Sequence, residues 1–356
     1  WSSNAIQTED EQRLIEQFGL VAVDDSLWAK VQEFQYFRRH IIFAHVNFET
    51  ILNAIENVAP WAVMSGIKPT NPFHLGNFTT AAEIVEFQKM GAKAYYCIAD
   101  IEAWEDNGTT YEESYEIAVD QLADILALGL DPDRAYIWQQ SREPLVKDVP
   151  YKVSRKVTKA MLEAIYGEKE FGLYLAALVQ VGDILLPQIR EEPMPTVVPV
   201  GLDQAPHLRL TRDLSALYYK HFFKPSSTYH RLLPGIDGSE KMSKRNPNSM
   251  FTFSEDLDSI RAKIMRALTG GRGSAQEQRE KGGEADKCMI FRMLLFLFEQ
   301  DDTELNERYR KCYGGEILCG QCKKESAEII LNFIKVHQEK KENTLSIARE
   351  ILEQQQ

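Results

Sequence analysis

Trp61-Ala62-Val63-Met64-Ser65-Gly66, followed by Pro72-Phe73-His74-Leu75-Gly76-Asn77, decides the fold. The first stretch is apolar, short and stopped by glycine, which reads as a buried strand. The second is a glycine turn that opens a helix. Asn77 is placed to cap that helix, with Phe78, Ala81, Ala82 and Val85 on one face, and Gly91 ends it. Ala94–Ala99 is a second buried strand, ending at Asp100. Tyr136–Trp138 is a third and Val197-Val198-Pro199-Val200-Gly201 a fourth. Thr110-Tyr111-Glu112-Glu113 is a capping box for a helix that stops at Gly129. Strand–helix alternation of this kind builds a doubly wound parallel sheet, whose ligands sit at the carboxyl ends of the strands. The segments Gly66–Asn77, Asp100–Glu102 and Gly201–Gln204 all fall at such ends.

Outside this alternation the pattern changes. Residues 1–60 read as a helical lead-in, with Arg38-Arg39-His40 running into Ile41-Ile42-Phe43-Ala44 and a helix from Phe48 to Ile55. Residues 251–356 read as an all-helical domain. Its apolar stripes are Leu257, Ile260, Ile264, Leu268 and Ala327, Ile330, Leu331, Ile334. The glycine-rich run from Gly270 to Gly283 reads as a flexible connector within it. The division is therefore 1–60, 61–250 (with an insertion at about 105–195) and 251–356.

The 356 residues suffice for two domains and a sizeable core. Hydrophobic residues make up 44% and charged residues 26%, as in ordinary globular proteins. No apolar run approaches the ~18 residues of a membrane helix. Trp1 in place of an initiator Met reads as a trimmed start, and no signal segment is expected, so the chain reads as cytoplasmic. A net charge of −12 argues against a nonspecific nucleic-acid binder but allows one local basic face. Of the five cysteines, Cys319 and Cys322 have a zinc-ribbon spacing, with Cys288 and Cys312 upstream. A second such pair is lacking, so no metal is expected and reduced thiols are the default reading.

The chemistry lies in two motifs. His74 and Asn77 stand at a helix start, where amides and the helix dipole favour phosphate. Pro72 and Gly76 shape that turn. Far downstream, Lys241-Met242-Ser243-Lys244 follows the glycine-flanked Gly235-Ile236-Asp237-Gly238. Two ammonium groups there can balance the charge of departing pyrophosphate. Together the motifs clamp a triphosphate, and a bound carboxylate can then attack the α-phosphate by placement alone. Gln180 and Asp183 share a face of an apolar helix and need partners or a pocket. Each feature also has a structural reading: His74 as an ordinary helix start, Lys241 and Lys244 as a surface loop, Asp203-Gln204 as a cap, Glu102 and Asp183 as surface carboxylates.

These residues resemble the class I aminoacyl-tRNA synthetases, His74–Asn77 in one signature and Lys241–Arg245 in the other. Within that class the chain is similar to tryptophanyl-tRNA synthetases of the archaeal and eukaryotic type over nearly its whole length. Val198–His207 with Arg209-Leu210-Thr211-Arg212-Asp213, Lys244–Ser249, Thr269–Arg272 and Tyr313–Leu318 carry the resemblance. It implies a Rossmann-like α/β fold. It also implies activation of tryptophan by Mg2+-ATP and transfer to the 3′ end of the tryptophan tRNA. A homodimer joined through the insertion is implied, with the helical domain reading the anticodon. ATP would meet Pro72, His74, Gly76, Asn77, Gly201, Asp203, Lys241, Met242, Ser243 and Lys244. Tryptophan would meet Met64, Cys97, Glu102, Gln180, Asp183 and Gln204. Three residues depart from the pattern. Met64 stands for a tyrosine and Cys97 for a glutamine of the eukaryotic branch, and Arg245 for the usual serine. Asp183 resembles the bacterial aspartate that accepts the indole N–H. Cys319 and Cys322 fall where the family has no metal ligands. A tyrosine-specific synthetase, a synthetase-like protein that only binds RNA or a partner, and a metabolite nucleotidyltransferase are the alternatives.

Overall fold

A computed structural model describes residues 11–240, 242 and 246–355. The elements run α1 Glu11–Phe18, β1 Val21–Ala22, α2 Asp25–Lys30, α3 Gln35–Arg38, β2 Ile42–Val46 and α4 Phe48–Glu56. The first half of the parallel sheet follows: β3 Ala62–Ile67, α5 Leu75–Lys89, β4 Lys93–Ile98, α6 Asp100–Asn107, α7 Tyr111–Leu128 and β5 Ala135–Gln139. Next come α8 Pro144–Val153, α9 Lys159–Tyr166, α10 Phe171–Arg190, β6 Thr196–Gly201, α11 Ala205–Tyr218 and β7 Ser226–His230. The chain ends in α12 Leu257–Arg266, α13 Ala275–Lys281, α14 Met289–Met293, α15 Asp302–Tyr313 and α16 Cys319–Glu353.

The seven strands form one sheet in the order β1-β2-β7-β6-β3-β4-β5. From β7 to β5 all neighbours are parallel. The order reverses between β3 and β6: after β3 the chain proceeds outward to β4, and later returns to β6 on the other side. Such a switch point opens a crevice at the carboxyl ends of the strands.

The lead-in departs from its helical reading. It holds helices, but Ile42–Val46 is a strand pairing antiparallel with β7, so the sheet is mixed. The lead-in arginines are also structural. Arg38 Nε and Arg39 Nε reach the two oxygens of Asp302 at 2.6 and 2.7 Å, and Arg39 is fully buried. The helical C-terminal residues share one apolar core with the sheet's α5–α7 face, where Phe78 meets Phe253 and Phe333 at ring distances of 5.3 and 5.6 Å. Leu268 lies past the end of α12 and is exposed, so that stripe stops at Ile264. The Gly270–Gly283 run is folded rather than loose. It contains α13, and Arg272 binds Gln278 Oε1 through its N–H and the Gly282 carbonyl through Nε.

The capping box at Thr110 and Glu113 is formed reciprocally, at 3.2 and 3.0 Å. The other predicted cap moves. His74, not Asn77, is the N-cap of α5, and Asn77 sits three residues inside. α10 corrects the sequence reading of apolar runs. It is long and apolar enough to cross a membrane, yet 72% of that window is buried inside the fold.

Candidate active site

A cavity of about 230 Å3 opens at the switch point. Met64 from β3, Cys97 from β4, Glu102 from α6, Gln180 and Asp183 from α10, and Gly201 and Gln204 from the end of β6 line it together. Six positions expected to meet an amino acid thus converge from five elements. Gly66, opposite Cys97 in the ladder, lets β4 lie close: a Cβ there would sit 2.7 Å from the Cys97 carbonyl oxygen.

Asp183 is the electrostatic centre. It is 1% exposed, and its two oxygens accept from Trp138 Nε1 at 3.0 Å and Gln140 Nε2 at 2.6 Å. Burial pushes its pKa up to about 7, although the bonds from Gln140, Trp138 and Cys97 work in the opposite direction. Burial also raises the Cys97 thiol well above its usual range, helped by the Asp183 charge. Gln140 joins the two walls, since its Oε1 accepts from the Glu102 amide at 3.3 Å. Trp138 and Gln140 escaped the sequence reading. Their relation to Asp183 spans more than forty positions, and neither stands in a motif.

The rim is polar and relayed. Gln180 Nε2 donates to Gln204 Oε1 at 3.4 Å, and Gln204 Nε2 to Asp203 Oδ2 at 3.0 Å. Lys68, also missed, lines the cavity 3.4 Å from Glu102 and is bonded to Asp106. Burial lowers its pKa, but the two carboxylates outweigh that and leave it raised. Gly201 is crowded by Asp203 Oδ1, 2.7 Å from where its Cβ would be.

The end expected to meet phosphate is built differently. His74 Nδ1 accepts from the Gly76 amide at 3.0 Å, and Asn77 Oδ1 accepts from the His74 amide at 3.2 Å. Both side chains therefore spend one polar atom on forming the turn itself. Pro72 precedes Phe73, which is buried and stacks edge-on against Phe253 at 5.2 Å. Met242 brings the second motif to the first: its Sδ lies 3.8 Å from the Cβ position of Gly76. The approach to Met242 is anchored where Asp237 accepts from Ser239 N at 3.1 Å and from Asn246 Nδ2 at 2.5 Å. Lys241, Ser243, Lys244 and Arg245 lie outside the described residues. No carboxylate cluster among the described residues is set to hold Mg2+.

Comparison with known proteins agrees with this geometry. Residues 56–335 match the family described as tRNA synthetases class I (W and Y). The tryptophan–tRNA ligase of Methanocaldococcus jannaschii is 38% identical, over 99% of this chain and 97% of its own. That of Aeropyrum pernix is also 38% identical, over 98% and 96%. The crystal structure of the Aeropyrum pernix K1 tryptophanyl-tRNA synthetase superposes with a TM-score of 0.92 at 37% identity, covering 98% of each chain. With the switch-point cavity, the histidine turn and full-length likeness together, the chain belongs to the class I tRNA synthetases, in the family of the tryptophan–tRNA ligases.

Proposed function

We propose that the residues of this cavity divide between them the work of tryptophan–tRNA ligation. The chain is an aminoacyl-tRNA synthetase that uses ATP, tryptophan and tRNA. In the first step the tryptophan carboxylate attacks the α-phosphate of ATP, giving tryptophanyl-adenylate and releasing pyrophosphate. In the second a hydroxyl of the terminal tRNA adenosine attacks the activated carbonyl, and AMP leaves.

The observation that carries the reading is a buried carboxylate facing a cavity beside a helix start shaped for phosphate. Asp183 already accepts from Trp138, Gln140 and Cys97, and its two oxygens have capacity for one further bond. The indole N–H of tryptophan takes that place, with Met64 and Cys97 against the ring. Glu102, Gln180 and Gln204 hold the ammonium group and orient the carboxylate. Since capping uses His74 Nδ1 and Asn77 Oδ1, the phosphates meet His74 Nε2, Asn77 Nδ2 and the amides of the first turn. Gly201 and Asp203 border the adenosine. Lys241 and Lys244 stabilise the departing pyrophosphate, with Met242 and Ser243 between them in sequence and Met242 against Gly76. Mg2+ arrives on the ATP phosphates, its usual mode of binding.

Two partner surfaces complete the reading. The insertion at about 105–195 joins two copies. Tyr151 and Phe171 there are 80% and 73% exposed, and a mainly apolar cavity of about 570 Å3 lies between them. The helical region 251–356 reads the anticodon of the tRNA, and the enzyme works in the cytoplasm.

Amino-acid-dependent pyrophosphate–ATP exchange, run with tryptophan, tyrosine and phenylalanine, tests the reading. Exchange with tryptophan alone is expected. Exchange with tyrosine would overturn the assignment of Asp183, and no exchange in folded protein would overturn the division of labour as a whole.

A further inference from the structure

Four of the five cysteines meet in one place, far from the sheet crevice. Cys288 precedes α14, Cys312 lies near the end of α15, and Cys319 and Cys322 occupy the first turn of α16. All four line a single cavity of about 20 Å3, room for an atom-sized guest. The sequence places Cys288 and Cys312 only somewhere upstream of the Cys319–Cys322 pair, and the fold brings them to it.

Burial raises the Cys288 thiol, while the nearby backbone amides of Phe291, Gly270 and Ile290 favour its thiolate. Arg308 Nη1 donates to Cys322 Sγ at 3.6 Å. Glycines bring the main chain against the sulfurs. A Cβ on Gly271 would sit 2.8 Å from Cys319 Sγ, and one on Gly283 equally close to Cys312 Sγ. Amide-to-sulfur bonds and a nearby cation are what orient and stabilise thiolate ligands of a metal. A bound cation would stabilise the thiolate forms of all four.

We infer that Cys288, Cys312, Cys319 and Cys322 form a tetrathiolate site for a soft metal centre in the helical region. Four thiolates select zinc or an iron–sulfur cluster over hard cations such as Mg2+. No group of three or more His, Cys, Asp or Glu among the described residues is closed to hold an ion as the chain stands. Zinc therefore requires side-chain rotation toward the cavity, whereas a larger iron–sulfur cluster accepts wider sulfur spacing. The site is independent of the ligase chemistry, and tethers the segments before α14, at the end of α15 and at the start of α16.

Metal and acid-labile sulfide analysis of the whole chain, purified without oxygen, tests this. The expected result is about one zinc per chain, or several irons with matching sulfide and absorption near ~400 nm. Those two outcomes identify which centre is bound. Cys312→Ser with Cys322→Ser is expected to abolish it, and chelation of the unaltered chain to lower Tm by several degrees, with recovery on adding zinc chloride or ferrous iron with sulfide. Four reactive thiols in a folded chain that takes up neither metal would overturn the inference. Loss of this inference would leave tryptophan-dependent exchange, and hence the ligase reading, untouched.

Discussion

Two buried aspartates show how differently this molecule uses the same side chain. Asp124, in α7, is fully buried and bonded to His337 Nε2 at 2.7 Å and Lys341 Nζ at 2.8 Å, both on α16. Asp183, equally deep in α10, has neutral partners in Trp138, Gln140 and Cys97, and it faces a cavity. The first carboxylate fastens the C-terminal helix to the sheet's helical layer. The second is held ready with acceptor capacity to spare. A buried charge matched by a cation is a structural joint, whereas one matched by neutral donors beside open space is a binding group.

The largest expected effect is on the joint. Asp124→Ala leaves the buried His337 without its carboxylate and Lys341 with Asp120 alone, so stability should fall by about 3 kcal/mol in chemical denaturation. The tryptophan KM in pyrophosphate exchange should stay unchanged below the lowered Tm, and a raised KM would erase the distinction drawn here. Asp183→Asn should act the other way round. It removes a charged acceptor worth about 1.5–3 kcal/mol, so kcat/KM for tryptophan should drop about 10- to 100-fold with little loss of stability. Unchanged kcat/KM would exclude Asp183 as the indole acceptor.

The pH dependence sharpens the same contrast. The folded pKa of Asp183, about 7, lies above that of an unfolded aspartate. Between the two values the folded chain holds the extra proton, so this group's contribution to stability falls as pH rises and is fully lost above the folded value. The Tm difference between the unaltered chain and Asp183→Asn should therefore shift in favour of the variant from pH 5 to pH 8. The smallest effect belongs to Trp138→Phe, which removes one neutral donor. About 1 kcal/mol, or a roughly fivefold rise in tryptophan KM at constant kcat, is expected. A loss as large as that of Asp183→Asn would make Trp138 part of the binding group itself.

The strands that build the crevice were legible because they are apolar, short and stopped by glycine or aspartate. β7 was not. Ser226-Ser227-Thr228-Tyr229-His230 reads as polar, yet every side chain is buried. Three of its polar side chains find partners the sequence cannot display: Ser226 bonds to the Asn47 carbonyl, Ser227 to Arg212, His230 to Glu83. β2 was missed for a related reason, since a short apolar run after Arg38-Arg39-His40 has no period that separates strand from helix. At the candidate site, motif residues were legible from local spacing. Gln140 was not, because its partners Asp183 and Glu102 meet it only through the fold. The gathering of the cysteines was hidden in the same way.

The pairing of β2 with β7 also sets a clock for biosynthesis. Ile42 leaves the ribosome roughly 190 positions before its ladder partner His230 exists. At ~5–20 residues per second, the early strand waits ~10–40 s without that neighbour. For that interval β2 has one unmatched edge in the nascent chain, and holding that edge away from other strands falls to whatever attends the emerging polypeptide.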